Sequence, residues 1–123
     1  MADFVKFEVP AKLNEKQLAL VEKVNKNGKI KIGINEVTKA IERGKARLVL
    51  IAQDVSPPEV VMHLPLLCKE KGIPFSYVPT KKELGEKAGI EVGTASLVIM
   101  DEGEAKKELK EINENLEKLN KGE

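Results

Sequence analysis

Three polar side chains stand close together in the segment Gly33-Ile34-Asn35-Glu36-Val37-Thr38-Lys39. Asn35, Glu36 and Lys39 are of types that bond nucleic-acid bases. Asn and Lys can meet base-edge acceptors, whereas a carboxylate accepts from a base N–H and is repelled by phosphate. Lys31 and Arg43 flank the three with positive charge, and a helix opening here would aim its free N–H groups at a phosphate. An acid kept inside a basic, phosphate-attracting site points to discrimination of a base and not to backbone attraction alone. A plainer reading fits the same residue types, with Asn35 as a helix N-cap and Glu36 as a first-turn acid that favours the dipole.

Catalytic arrangements fare worse. His63 and Cys68 are five residues apart, which on a helix separates them by roughly 140°, so local spacing cannot pair them as base and nucleophile. Both lie among apolar residues and are expected in the core. Gly85, Gly89 and Gly93 are four apart and match neither a dinucleotide fingerprint nor a P-loop; they read as helix ends and a turn. Asp54 closes an apolar run at a position where α/β enzymes often keep a functional group. It has no partner His or second placed acid, and a small ligand-binding or catalytic domain with a cleft near Asp54 is the alternative of another class. The single Cys68 excludes an internal disulfide and, with His63 the only histidine, a Cys/His zinc site. No metal or cofactor is expected.

The elements that must position these side chains follow from periodicity. Leu18, Val21 and Val24 recur at helical spacing after Asn14, which is placed to cap with Gln17 three residues on, and the run stops at Asn27-Gly28. Residues 29–34 alternate as a strand does. The period then changes: Val37, Ala40 and Ile41 form one helical stripe and Glu36, Lys39 and Arg43 another, ending at Gly44. Residues 48–52 are continuously apolar, the pattern of a central strand covered on both faces. Ser56-Pro57-Pro58-Glu59 reads as a capping box opening a helix to Lys71-Gly72, kinked or restarted at Pro65. Then come a strand over 73–78, a second capping box Thr80-Lys81-Lys82-Glu83 with a short helix to Ala88-Gly89, and an apolar strand over 96–100. A last helix after Gly103 carries Leu109, Ile112, Leu116 and Leu119. Strands separated by helices predict a single-domain α/β fold over residues 1–123, a three-layer α/β/α sandwich with a small mixed sheet.

Composition suits a soluble globule of 123 residues that is 41% hydrophobic and 33% charged, and it excludes disorder and a disulfide scaffold. No apolar run reaches the roughly 18 residues of a membrane span. The start Met1-Ala2-Asp3-Phe4 lacks a signal-peptide pattern, so a cytoplasmic location is expected. Aromatic residues are only 3%, too few to stack bases on a row of rings as an RRM-type reader does. The net charge of +1 conceals a split. Residues 23–47 hold eight basic side chains against Glu36 and Glu42, a local +6, whereas residues 101–123 hold eight acids against five lysines, a local −3. A concentrated basic stretch can attract a phosphate backbone, although a solvated helix face is the commoner meaning of lysines.

The string from Gly33 to Ala46, continued by Leu48-Val49-Leu50-Ile51-Ala52 and Asp54-Val55-Ser56-Pro57, resembles the archaeal large-subunit ribosomal protein L7Ae and its kink-turn RNA-binding relatives. His63-Leu64-Pro65-Leu66-Leu67-Cys68 and the stretch from Leu84-Gly85 through Ala95 extend the likeness to essentially the whole chain. The resemblance implies a non-enzymatic protein that binds kink-turns and kink-loops, bends in which a bulge is followed by tandem sheared G·A pairs. Asn35, Glu36 and Lys39 would read the guanines of those pairs, with the region from Lys31 to Gly33 near the backbone and Arg43 beside the site, while Ile90, Glu91 and Val92 would cover the bulge and help to select among RNAs. The implied partners are large-subunit rRNA, box C/D and H/ACA guide RNAs, ribonuclease P RNA and other proteins of the same ribonucleoprotein particles, with the free protein a monomer that nucleates their assembly.

Overall fold

In the computed structural model, residues 7–121 are described; the leader expectation at Met1 to Phe4 lies outside them. The elements follow in the order α1 (Ala11–Asn27), β1 (Lys29–Ile32), α2 (Ile34–Glu42), β2 (Leu48–Ala52), a 3-10 turn (Pro58–Val60), α3 (His63–Lys71), β3 (Phe75–Val78), α4 (Lys81–Lys87), β4 (Ser96–Asp101) and α5 (Lys106–Lys121). The sheet order is β1-β4-β2-β3. Strand β4 runs antiparallel to both its neighbours and β2 runs parallel to β3, so the sheet is mixed. Helices α1, α4 and α5 pack together, and α2 packs on α3. The resulting α/β/α sandwich is the expected fold. All five residues of the central strand β2 and all four of the edge strand β3 are buried, as strands covered on both faces require.

Five local readings are corrected. Helix α1 opens at Ala11 and not at Asn14: Pro10 is its extended N-cap, and the Asn14 N–H donates to the Pro10 carbonyl at 3.0 Å. Gln17 is no capping partner but a fully buried side chain whose amide donates to the Tyr77 carbonyl at 3.0 Å, which lets a polar residue occupy the inward face. The Ser56 capping box does not form. Pro57 is extended because Pro58 follows it, and only one 3-10 turn results. The helix proper starts at His63, which places Pro65 in the first turn, where a missing N–H costs nothing. Strand β3 starts at Phe75, two residues later than its apolar run suggested, and β1 stops at Ile32.

The two core candidates part company. Cys68 is fully buried, and burial pushes its thiol up to about 12, so it is inert packing. His63 is exposed, at the first turn of α3, and the expectation of a core histidine fails because the helix begins at that residue.

Strand register fixes which loops meet. Ile32 lies opposite Leu97, Ile51 opposite Ser96, and Ala52 opposite Val78. The carboxyl ends of β1, β2 and β3 and the amino end of β4 therefore share one edge of the sheet. The start of α2, the connection 53–62 and the loop 88–95 all lie at that edge.

Candidate nucleic-acid interface

Helix α2 is entered through Gly33, whose φ of 100° and ψ of 153° suit glycine alone among common residues. Gly33 is the N-cap, it carries no side chain, and no side-chain hydrogen bond caps the helix. Its carbonyl accepts from Val37 N at 3.0 Å and its N–H donates to the Ser96 carbonyl at 3.2 Å. The first-turn N–H groups of Ile34, Asn35 and Glu36 are therefore left for solvent or an anion. Val37, Ala40 and Ile41 are buried and anchor the helix on the sheet and on α3. Each large buried side chain of this kind stabilises by roughly 1.5–3 kcal/mol, so the first turn is held rigidly.

Asn35, the second residue of the helix, is not its cap, and its side chain is exposed with no hydrogen-bond partner among the described residues. The plainer reading of Asn35 thus fails, because glycine already occupies the capping position. Glu36 and Lys39 are likewise exposed. Their ionic groups are 3.9 Å apart with about half of each side chain in solvent, a contact worth little. Arg43 extends the same stripe, and Lys31 stands half-buried on β1. Neither is ion-paired among the described residues.

The second predicted group, Ile90, Glu91 and Val92, lies in the loop 88–95. Ile90 is half-buried, Glu91 is exposed, and Val92 is 71% exposed. The Thr80 hydroxyl caps α4 by accepting from Glu83 N at 3.2 Å, as its capping box requires. The loop then folds back on that helix: Ile90 N donates to the Gly85 carbonyl and Thr94 N to the Lys81 carbonyl, each at 3.1 Å. Gly85 permits the approach, since a Cβ there would stand 2.1 Å from the Val92 carbonyl oxygen. The Thr94 hydroxyl donates to the Ser96 carbonyl at 2.9 Å, the acceptor that also receives Gly33 N. One carbonyl therefore ties the loop to the start of α2, which explains how two groups about 55 residues apart in sequence come to one edge.

His63 was missed by sequence reasoning as a neighbour of this edge. Its Nε2 is 3.1 Å from the Thr38 hydroxyl of α2, and the exposed apolar side chains Val60, Met62 and Leu66 surround it in sequence. The available signal was Pro65, which forces the helix to begin near His63. Asp54, the enzymatic candidate, has a structural role instead. Its Oδ1 accepts from Lys81 N at 2.9 Å and helps to close the start of α4. A cavity of about 1010 Å³ lies elsewhere, beside Arg47, Cys68 and Leu109 at the other end of the sheet. Among the described residues no three His, Cys, Asp or Glu side chains come together as a metal site, and no helix is long and apolar enough to cross a membrane.

Residues 15–109 match the ribosomal protein L7Ae/L30e/S12e/Gadd45 family. Among solved structures, a Giardia lamblia 15.5kD RNA binding protein is similar to this chain with a TM-score of 0.88 and 34% sequence identity, over 97% of this chain and 99% of that one.

Proposed function

The chain belongs to the ribosomal protein L7Ae/L30e/S12e/Gadd45 family, and from that premise we propose that it is an RNA-binding protein, not an enzyme, that recognises kink-turns and kink-loops. The observation that carries this reading is the start of α2, where a glycine cap leaves the helix N–H groups free and Asn35, Glu36 and Lys39 project into solvent. Sheared G·A pairing exposes guanine acceptors and an N–H in a widened groove. Asn35 and Lys39 would meet the acceptors and Glu36 the N–H, while the helix N-terminus, Lys31 and Arg43 attract the flanking phosphates. Ile90 and Val92 supply an apolar cover for an unstacked bulge base in a chain with few rings.

The protein acts by differential binding: it stabilises the bent RNA because it binds that form better than the extended one. The RNAs that carry such bends and fit the reading are large-subunit rRNA, box C/D and H/ACA guide RNAs and ribonuclease P RNA. The exposed apolar side chains Val60, Met62 and Leu66, which flank His63 in sequence, offer later proteins of the same particles a surface to meet. A gel-shift titration tests the reading. A kink-turn duplex should bind tightly, and replacing its tandem G·A pairs by Watson–Crick pairs should remove most of the affinity, at about 1–3 kcal/mol per lost base contact. Equal binding of the two duplexes would refute it.

A further inference from the structure

At the opposite end of the sheet from the start of α2, a groove of about 440 Å³ opens between the end of that helix and the paired ends of β1 and β4, lined by Lys29, Lys45, Arg47 and Asp101 among others. Its two lysines sit on fixed backbone. Lys45 N donates to the Ala40 carbonyl at 3.1 Å just past α2, and Lys29 pairs with Asp101 across the β1–β4 ladder. Lys29 and Lys45 are exposed and neither is ion-paired among the described residues. The acids nearby offset the charge only in part: the Asp101 carboxylate accepts from Gly103 N at 2.9 Å and Glu102 faces Arg47 at 3.7 Å, which leaves Lys29, Lys45 and Arg47 against two acids. What remains is a local excess of positive charge, with Lys29 and Lys45 not ion-paired among the described residues.

The groove also continues the stripe of Lys39 and Arg43. Helix α2 carries the surface about 15 Å from its N-cap Gly33 to its C-cap Arg43, at 1.5 Å per residue. That length spans several base-pair steps of an RNA stem. We infer that the Lys29–Lys45 groove is a second RNA contact, sequence-independent, that takes the phosphate backbone of a stem leading away from the bend held at α2. It rests on the reading of α2 above and adds to it. Charge complementarity and continuity with that stripe favour a polyphosphate backbone over any neutral ligand, and cations at this distance from the base-reading cluster attract without specifying.

The experiment uses the full chain and three kink-turn RNAs, one with both stems cut short and two with one stem or the other lengthened by eight base pairs. One lengthened RNA should bind the native protein more tightly than the short one, with a salt slope steeper by about two ions, so that its advantage shrinks roughly tenfold between 50 and 200 mM salt. Lys29→Gln/Lys45→Gln should abolish that advantage and bind the short RNA within about twofold of the native protein at an unchanged thermal midpoint. No gain from either lengthened stem, or a double variant that keeps the gain, would overturn the assignment. A double variant that keeps the gain and loses retention on polyglutamate would assign the groove to an acidic peptide instead. A short RNA bound no better than its Watson–Crick counterpart would refute the reading of α2 itself, and the extension with it.

Discussion

Helices α1 and α2 both present lysines and glutamates to solvent, yet the two faces treat their charges differently. On the α1 side the charges find one another: Lys16 pairs with Glu111 and Lys23 with Glu108 of α5, and Glu22 with Lys87 of α4 at 3.4 Å. On the α2 side Lys31 and Arg43 are unpaired among the described residues, and Glu36 and Lys39 stand 3.9 Å apart. The near-neutral net charge is thus an average over a face that satisfies itself and a face that does not. Charge count alone would not separate them; pairing does. The unsatisfied face is also where a glycine leaves a helix start uncapped, so free cations, free N–H groups and an unpartnered Asn35 coincide.

The largest effect that can break this contrast is on RNA affinity. Asn35→Ala/Lys39→Ala should lower affinity for a kink-turn RNA by about 2–6 kcal/mol, at 1–3 kcal/mol for each base contact, with little change in the thermal midpoint because both side chains are exposed. Lys16→Ala/Lys23→Ala, on the self-satisfied face, should leave affinity within about twofold, since exposed pairs contribute little and no contact to RNA is proposed there. Titrations of the two double variants against one RNA check both statements. Equal losses would erase the distinction between the faces.

A smaller effect sharpens it within the RNA-binding edge. Exchanging Ile90-Glu91-Val92 for another loop sequence should change the ranking of kink-turns and kink-loops by roughly tenfold, about 1.4 kcal/mol, while moving stability little, because Val92 is largely exposed. Thermal denaturation alongside the titrations decides: a collapse of stability with an unchanged ranking would place these side chains in the core.

The smallest effect lies on the α1–α5 face and is read by pH. The hydrogen bond from Lys23 holds the Glu108 carboxyl below its ordinary value of 4.5. A lowered folded-state value contributes stability that is present above about pH 4.5 and is lost as the pH falls through it. Glu108→Gln should therefore be slightly less stable than the native protein at neutral pH, lose that deficit in acid, and bind RNA unchanged. Chemical denaturation at pH 7 and pH 3 measures the difference.

Much of what depended on neighbours in the chain was legible in the sequence, although the Ser56 box failed for a local reason, Pro58 following Pro57. The Thr80–Glu83 box capped α4 as read, the apolar run 48–52 became the central strand, and the Val37-Ala40-Ile41 stripe turned inward. What else escaped depended on partners far along the chain. Gln17 looked like part of a cap because its acceptor, the Tyr77 carbonyl, is sixty residues away. His63 looked like core because apolar residues flank it in sequence, whereas α3 begins there and its Thr38 neighbour comes from another helix. The sharing of the Ser96 carbonyl by Gly33 and Thr94, and the meeting of Lys29 with Lys45, arise only when the sheet assembles. The Asn35-Glu36-Lys39 cluster was legible because it is local to one helical turn, whereas the glycine cap that leaves Asn35 without a hydrogen-bond partner among the described residues was not.

Glu36 tests the central claim most directly, since an acid is out of place beside phosphates unless a donor meets it. A salt titration of the native protein and Glu36→Ala on a kink-turn RNA and a plain duplex measures specific and non-specific affinity together. If Glu36 accepts from a guanine N–H, the variant should lose about 1–3 kcal/mol on the kink-turn while holding or gaining on the plain duplex, so the preference narrows. A variant that keeps its full preference would show that Glu36 serves only the helix dipole, and that the start of α2 does not read bases through it.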